Sequence, residues 1–269
     1  MAGIVFGCIA PHPPIVIPGI GSDKDRDIVW QTISGMEDLA ETLGMSNPET
    51  VIIVSPHNYY TASINMTISF TNTAEGNLHK WGTRLPGYQF ENDLKLAELI
   101  MEEAQKANIS VQSVHPNNYK LDHGILVPLH FLADSFKGAS LLPITFSGLP
   151  LNTHFYFGKA IQKAAERSHK RVCFIASGDL SHYLKGSHYG YHSEGEVFEK
   201  QLAEAITTMD SSTILGLDPG LIERAGECGL RSIVILLGAL DGMHINAKII
   251  SHEGPLGVGY MVASFQINT

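Results

Sequence analysis

Short apolar runs alternate along the chain with longer segments in which apolar residues recur every three or four positions. Residues 3–10 and 51–54 are short and rich in β-branched residues, which is typical of buried strands. Residues 25–43, between them, have helical spacing and predict a helix that connects two parallel strands. The chain is therefore predicted to open with a strand, a helix and a second strand.

The same alternation continues to the end of the chain. Further strands are predicted at residues 64–70, 109–114, 139–144, 172–176, 247–251 and 258–265, and further helices at residues 92–107, 124–131, 153–167, 194–206 and 231–240. Residues 71–87 and 181–191 show no period and predict loops beside a functional site. The pattern indicates an α/β fold, with one domain over residues 1–269 and a central, mainly parallel or mixed sheet flanked by helices.

Composition and charge narrow the classes of function. The 269 residues are 44% hydrophobic and carry a formal net charge of -9, so the chain can bury a large core but lacks the basic residues that bind nucleic acid. No apolar run is long enough to span a membrane, and no basic leader precedes the first strand. Cys8, Cys173 and Cys228 form neither a disulfide framework nor a repeated zinc motif, which favours a reducing compartment. We therefore expect a cytoplasmic protein that acts on a small molecule.

Four histidines lie at the junctions between predicted elements. His12 and His57 follow the first two strands, each beside a proline that stiffens the backbone. His182 follows the strand at residues 172–176, and His123 precedes a helix. Because loops at the carboxyl ends of neighbouring parallel strands converge, we expect one polar centre, although any single histidine could instead be a hydrogen-bonded structural group. Imidazole is a common ligand of iron and zinc and exchanges protons near neutral pH.

Five motifs resemble those of a known superfamily. They read PHPP at residues 11–14, SPH at 55–57, LDHG at 121–124, SGDLSH at 177–182 and AGECGLRS at 225–232. Their order and spacing resemble the class III extradiol ring-cleavage dioxygenases over nearly the whole chain. Within that superfamily, GECG at 226–229 and EGPLGVGY at 253–260 are most similar to the dioxygenase-like, Memo-related domain of the AmmeMemoRadiSam system.

The resemblance implies a mononuclear Fe(II) centre, with zinc or copper as alternatives. His12, His57 and the carboxylate of Glu227 would hold the ion and leave positions open for O2 and a catechol-like aromatic substrate. His123 and His182 would match the acid–base histidines of the superfamily, and Asp179 would orient an imidazole or hold a loop.

The third ligand and the reaction stay open at this point. Ring-cleaving relatives place their glutamate slightly later, where this chain has Arg231, and Memo-like relatives place a cysteine that corresponds to Cys228. The chain is thus expected either to insert O2 into an aromatic ring or to act as a Memo-like metal-binding or redox partner of a radical SAM enzyme and an AMMECR1-type domain. A zinc hydrolase is a third alternative, because histidine ligands alone do not select the metal. A homodimer is compatible with the sequence.

Each candidate also has a structural interpretation. Glu227 could only interact with a helix N-terminus, Cys228 could be inert packing, and Asp179 could be a turn former. The tyrosines near the motifs could line an aromatic pocket or lie on the surface; they are Tyr59, Tyr60, Tyr183 and Tyr189. His188, His192 and His252 are expected at the periphery of the site, and Glu253 is expected to be structural.

Overall fold

The computed structural model describes residues 2–57, 65–117 and 119–268, in which strands and helices alternate. The strands are β1 Gly3–Ala10, β2 Thr50–Ser55, β3 Met66–Ser69, β4 Thr73–Gly76, β5 Tyr88–Glu91, β6 Val111–Val114, β7 Tyr119–Lys120, β8 Ser140–Thr145, β9 Arg171–Ser177, β10 Ile245–Glu253 and β11 Tyr260–Ile267. The helices are α1 Asp23–Ile28, α2 Trp30–Met45, α3 Leu94–Lys106, α4 His123–Leu132, α5 Leu151–Ser168, α6 Ser193–Thr208, α7 Ser211–Leu215, α8 Pro219–Ala225 and α9 Leu230–Ala239.

A mixed eight-stranded sheet forms the centre of the molecule. Its strand order is β10-β11-β1-β9-β2-β8-β3-β6. The four strands β1, β9, β2 and β8 run parallel to one another, whereas β11 is antiparallel to β1 and β3 is antiparallel to β8. The predicted α/β fold with a mixed sheet is confirmed. The parallel order brings the carboxyl ends of β1, β9 and β2 to one edge, where the loops carry three of the histidines.

The core lies on both faces of this sheet. Successive side chains of a strand point to opposite faces, so Ile52 and Val54 pack with one core cluster and Val51 and Ile53 with the other. Helices α3, α5 and α9 cover the first face, and α2 and α4 cover the second. None of the helices in the described residues combines the length and apolarity that crossing a bilayer requires.

Part of the predicted loop at residues 71–87 folds into a second, three-stranded sheet. Its order is β5-β4-β7, with β4 antiparallel to β5. Strands of four and two residues are too short to give a period in the sequence, which is why this sheet was not predicted. A short 3-10 turn at His79–Trp81 follows β4 and carries Trp81 to the edge of the sheet where the histidines lie.

Two predicted helices begin or continue differently in the structure. The helix predicted at residues 25–43 is interrupted at Val29, which separates α1 from α2. The helix predicted from residue 92 begins at Leu94 and is capped by Asp93, whose carboxylate accepts a hydrogen bond from Leu96 N–H. The short helices α7 and α8 had no clear periodic signal in the sequence.

Candidate metal centre

His12 and His57 lie side by side at the carboxyl edge of the large sheet. His12 follows β1 and His57 follows β2, and β9 lies between these two strands. Their Nε2 atoms are 3.2 Å apart, and their ring centroids are 4.9 Å apart. The strand order therefore joins two imidazoles that are far apart in the sequence.

Cys228 completes a cluster of three ligand atoms. Its Sγ lies 3.6 Å from Nε2 of His12, and one ligand atom from each of His12, His57 and Cys228 lies within 4.8 Å of the others. Asp179, in the loop after β9, donates its N–H to Cys228 Sγ at 3.2 Å and accepts the N–H of Cys228 at 3.2 Å. These hydrogen bonds fix the cysteine beside the histidines.

Two separations within the cluster, both measured from Nε2 of His12, fit ligands of a single transition-metal ion. Nitrogen and sulfur ligands at about 2.0–2.1 and 2.3 Å from an ion are about 3.3–3.6 Å apart in a tetrahedral arrangement. The separations of 3.2 and 3.6 Å around Nε2 of His12 are close to that range. Imidazole and thiolate suit iron, copper or zinc, whereas magnesium and calcium prefer oxygen ligands. The donor set of His12, His57 and Cys228 therefore fits the kind of ion that the resemblance implied.

Glu227 does not join this cluster, in contrast to the expectation from the resemblance. Its carboxylate accepts a hydrogen bond from Leu230 N–H at 2.5 Å and lies 3.8 Å from Arg231 Nη1. Burial raises the pKa of Glu227, and these two contacts offset only part of that effect. Glu227 and Cys228 are consecutive residues whose side chains line different cavities, so the turn presents the thiol, and not the carboxylate, to the histidines.

Ser177 fixes the orientation of the His12 ring. Its hydroxyl donates to the backbone carbonyl of Gly124 and lies 3.0 Å from Nδ1 of His12. Because the serine proton is committed to Gly124, the hydroxyl oxygen accepts Nδ1–H of the imidazole. The lone pair of His12 Nε2 then faces the cluster, which is the tautomer that a metal ligand needs.

His123 and His182 line the same cavity as the cluster. The ring of His123, at the start of α4, stacks on His57 with centroids 4.2 Å apart and an interplanar angle of 26°. His182 lies in the loop after β9, and its Nδ1 is buried without a hydrogen-bond partner among the residues that the structure describes. The structure thus brings together all four histidines that the sequence singled out.

Burial keeps these histidines neutral near pH 7. Burial, and then the neighbouring His57 and Lys80, lowers the pKa of His123 to about 4. Burial is also the main cause that lowers the pKa of His12, His57 and His182. Neutral imidazoles can bind a cation or accept a proton, which are the two roles that the sequence assigned to them.

Burial raises the pKa of the Cys228 thiol, and the carboxyl of Asp179 raises it further. The thiol is therefore protonated unless a cation lies beside it, because a bound metal ion deprotonates a coordinating thiol. Ligation by Cys228 consequently releases a proton.

Asp179 holds the site together through the backbone. Its Oδ1 accepts the N–H of His12 at 2.8 Å, and its own carbonyl accepts the N–H groups of Cys228 and Gly229. Burial raises the pKa of Asp179 to about 7, although the hydrogen bond from His12 opposes that shift. Asp179 therefore connects the loops that carry two members of the cluster.

A cavity of about 530 Å³ opens onto the cluster. Several residues of its wall were not assigned to the site from the sequence: Ile15, Trp81, Leu256, Val258 and Tyr260. The last three belong to the motif at residues 253–260, which carried the resemblance but gave no role for them. Trp81 had no signal, because it lies in a stretch without periodicity.

The peripheral histidines and tyrosines separate into two groups. His188 and Tyr189 line the cavity, and Tyr183 stacks on His192 outside it, with ring centroids 4.3 Å apart. Tyr59 and Tyr60 lie outside the described residues. His252 pairs with the buried carboxylate of Glu199, and Glu253 accepts hydrogen bonds from the backbone N–H and hydroxyl of Thr32.

The fold and the cluster at the carboxyl edge of its sheet define an α/β protein with a candidate metal centre. The family model described as the catalytic LigB subunit of aromatic ring-opening dioxygenase matches residues 7–263. The chain belongs to this family.

Three curated relatives show the breadth of the similarity. Protein CA_C1420 of Clostridium acetobutylicum is 30% identical over 96% of this chain and 56% of its own length, so the chain spans little more than half of that relative. The 2-aminophenol 1,6-dioxygenase alpha subunit of Pseudomonas sp is 25% identical over 98% of this chain and 99% of its own. A MEMO1 family protein of Pyrobaculum arsenaticum is 26% identical over 74% of this chain and 68% of its own. The resemblance to the extradiol superfamily and to Memo-related proteins is confirmed.

A solved structure shares the fold. The crystal structure of the uncharacterized protein JW3007 from Escherichia coli K12 matches with a TM-score of 0.64 and 20% identity, covering 98% of this chain and 100% of that one.

Proposed function

We propose that the chain is a metal-dependent dioxygenase that opens the ring of a small catechol-like or aminophenol-like substrate with O2. The observation that carries this proposal is the His12, His57 and Cys228 cluster at the base of a cavity that is also lined by His123 and His182. The family to which the chain belongs has aromatic ring-opening dioxygenases as its namesake. The relative from Pseudomonas is named as a subunit of a 2-aminophenol dioxygenase, which supports a phenolic substrate.

Fe(II) is the ion that we propose for the centre. An Fe(II) ion held by His12, His57 and Cys228 would orient the phenol and bring O2 to it. Zinc and copper bind the same donor types, and the softer thiolate ligand favours copper or zinc more than a carboxylate would.

The protein residues supply proton transfer, orientation and exclusion of water. His123 is neutral and lines the cavity, so it can accept the proton of a phenol that binds beside the cluster. His182 is a second neutral base in the same wall, and its backbone N–H donates a hydrogen bond to Ala225 O, which positions the residue. The side chains of Ile15, Leu256 and Val258 form an apolar part of the cavity wall, which would exclude water from the aromatic ring of the substrate.

Oxygen uptake tests the proposed reaction. The protein is loaded anaerobically with Fe(II), its metal content is measured, and O2 consumption is followed with catechols, protocatechuate and aminophenols. We expect one mole of O2 consumed for each mole of ring opened. A folded, iron-loaded protein that consumes no O2 with any of these compounds would contradict the proposal.

Two matched variants test the third ligand. We expect Cys228→Ser to bind metal at least about 10-fold more weakly, because the thiolate is lost from the cluster. Glu227→Gln should keep the metal affinity of the wild type, since its carboxylate lies on Leu230 N–H outside the cluster. Weaker metal binding by Glu227→Gln, with unchanged binding by Cys228→Ser, would show that Glu227 is the third ligand.

The presence of the Cys228 thiol in the cluster favours a second candidate function. The third residue of the cluster is Cys228, which corresponds to the cysteine of Memo-like proteins, and a MEMO1 family protein is among the relatives. We propose as the alternative a Memo-like metal-binding or redox protein without ring-opening activity, which partners a radical SAM enzyme and an AMMECR1-type domain. Metal binding without O2 uptake, together with copurification of such partners, would favour this alternative.

Assembly and location are also proposals. We propose a homodimer in the cytoplasm. The Pseudomonas relative is named as one subunit of its enzyme, which supports an assembly of more than one chain. The excess of acidic residues supports the absence of a nucleic-acid partner.

A further inference from the structure

The motif at residues 253–260 includes a turn whose glycines have no role in the metal cluster. The turn joins β10 to β11 over residues 254–259, and we call it the glycine turn. Its glycines are Gly254, Gly257 and Gly259. Two of them face the loop that follows β9, at residues 178–192, which carries His182 and which we call the His182 loop. The glycine turn is therefore placed to support a histidine of the cavity wall.

The glycine turn lets the His182 loop approach more closely than a side chain would allow. A Cβ atom at Gly257 would lie 2.0 Å from the backbone nitrogen of Ser187, and one at Gly254 would lie 2.6 Å from Cδ1 of Leu184. Gly257 also has a φ of +75°, a left-handed conformation that glycine adopts without strain. Because the contact at Gly257 is with backbone, the loop would have to move to accept a side chain there.

Three backbone hydrogen bonds hold the His182 loop on the glycine turn. Leu180 N–H donates to Gly259 O at 2.8 Å, and Gly259 N–H donates in return to Ser181 O at 2.8 Å. Leu184 N–H donates to Gly257 O at 3.0 Å. The bonded residues of the loop lie on both sides of the histidine in the sequence. The turn therefore fixes the stretch of backbone that carries this imidazole.

A buried carboxylate from α6 links the His182 loop to the large sheet. The side chain of Glu199 is 9% exposed, and its Oε1 accepts the N–H of Ser181 at 2.8 Å. Its Oε2 accepts the Nε2–H of His252 in β10. A Cβ atom at Gly259 would lie 1.9 Å from Oε1, so the carboxylate occupies the space that a side chain at this glycine would take. The glycine turn and Glu199 therefore support the loop together.

The ring of His182 depends on the backbone of its loop for its position. No side chain of the described residues hydrogen-bonds to this ring, and its buried Nδ1 has no partner among them. The ring lies edge-on to Tyr189, a residue of the same loop, with centroids 5.9 Å apart. The ring of His12, by contrast, is oriented by the hydroxyl of Ser177. A displacement of the His182 loop would therefore displace the imidazole with it.

We infer that the glycine turn and the carboxylate of Glu199 position His182 in the cavity, and that Glu199 is a positioning residue for the reaction at the metal centre. The second part of this inference rests on the proposed function, in which His182 is a base, whereas the first part does not. The physical reason is that proton transfer needs a fixed distance between base and substrate, and a displacement of about 1 Å can lower the rate by about 100-fold.

Two pairs of variants of the metal-loaded protein test the inference. Glu199→Ala removes the acceptor of the Ser181 N–H. Its control is Glu103→Ala on α3, because the two glutamates are equally buried, at 7% exposure, and Glu103 does not line the cavity. Gly257→Ala forces the turn and the loop apart. Its control is Gly242→Ala, because Gly242 has a similar φ of +78° but no atom within 4 Å of an added Cβ, so it shares the backbone strain without the contact.

Hydrogen–deuterium exchange, followed by mass spectrometry, reports on the His182 loop without any turnover. We expect peptides from this loop to exchange at least about 10-fold faster in Glu199→Ala than in Glu103→Ala, and faster in Gly257→Ala than in Gly242→Ala, because a loop that has lost its bonds opens more easily. Peptides from β1 and β2 should exchange alike within each pair, which separates local opening from global unfolding. Equal exchange of the loop within both pairs would overturn the inference and leave the proposed function standing.

Oxygen uptake, with a catechol or aminophenol that the wild type consumes, tests the positioning role. We expect Glu199→Ala to hold as much metal as Glu103→Ala, with kcat at least about 10-fold lower and KM within about 3-fold, because the base is misplaced while the cluster is kept. Glu199→Gln should restore most of kcat, since its amide oxygen can accept the Ser181 N–H and its amide nitrogen can donate to His252.

A loop that exchanges faster in metal-loaded Glu199→Ala, with kcat unchanged, would overturn the positioning role of Glu199. A wild type that consumes no O2 would contradict the proposed function, and the exchange of the two pairs would still decide whether the glycine turn and Glu199 hold the His182 loop.

Discussion

Replacing Ser177 with alanine should weaken metal binding without direct loss of a ligand. The Ser177 hydroxyl lies 3.0 Å from Nδ1 of His12 and donates to Gly124 O, so it fixes the ring with Nε2 toward the cluster. In Ser177→Ala the imidazole loses this partner, and the buried Nδ1–H is left without an acceptor. The ring can then rotate or adopt the other tautomer, and the ion loses a prealigned ligand.

The expected size of the effect follows from two contributions. Removal of the hydrogen-bond partner of a metal-ligating histidine typically lowers metal affinity by about 10- to 100-fold. Removal of the buried hydroxyl also destabilises the fold, by about 1–2 kcal/mol. Ser181→Ala provides the matched control for this second contribution. Ser181 is also fully buried, and its hydroxyl donates to Ala225 O without touching the cluster.

A competition titration against a chromogenic chelator measures the metal dissociation constant of each variant, and urea unfolding measures its stability. We expect Ser177→Ala to bind the ion at least about 10-fold more weakly than Ser181→Ala at similar stability. Equal affinities of the two variants would refute the role assigned to Ser177 and, with it, the assignment of Nε2 of His12 as the ligand atom.

Three further predictions concern stability and catalysis. Asp93→Asn should lower the free energy of unfolding by about 1–3 kcal/mol at pH 7, because its buried carboxylate binds Lys170. Burial opposes the charge of Asp93, but the hydrogen bonds outweigh it and lower the pKa below the ordinary value of 3.8, so the difference between variant and wild type should shrink as the pH falls below 3.8. A difference that does not change with pH would show that the charge of Asp93 is not its cause. His123→Gln should retain metal but lower kcat at least about 100-fold in oxygen-uptake assays, and unchanged kcat would exclude it as the base. Gly158→Ala should destabilise the protein by more than about 2 kcal/mol in thermal or urea unfolding, since its Cβ would lie 2.1 Å from a carbonyl oxygen of α9, whereas Gly148→Ala, with no atom within 4 Å, should be neutral.

The sequence predicted the central strands well because their signal is strong. β1 and β2 are fully or mostly buried on both faces, so they appear as uninterrupted apolar runs with clear ends. The histidines that follow them could be predicted to converge because parallel strands bring their carboxyl ends to one edge. The same reasoning could not find β4, β5 or β7, whose few residues carry no readable period.

The third residue of the cluster shows the limit of reasoning from the sequence. Glu227 and Cys228 are neighbours, and only the hydrogen bonds of the turn decide which side chain faces the histidines. The carboxylate is bound by Leu230 N–H at the start of α9, and Asp179 N–H holds the thiol. The residue types alone favoured the Glu227 carboxylate as the third ligand, whereas the local backbone geometry places the Cys228 thiol beside the histidines.

Trp81 and Tyr260 were missed for different reasons. Trp81 reaches the cavity through the short turn after β4, which had no signal in the sequence. Tyr260 lies within the strand predicted at residues 258–265, so its apolar neighbours explained it as core, and only the structure shows that it lines the cavity.

X-ray absorption spectroscopy of the metal-loaded protein tests the candidate centre most directly. The geometry predicts a sulfur ligand at about 2.3 Å together with nitrogen ligands at about 2.0–2.1 Å. The sulfur contribution should disappear in Cys228→Ser and remain in Glu227→Gln. A wild-type spectrum with nitrogen and oxygen ligands alone would contradict the assignment of His12, His57 and Cys228 as the metal site.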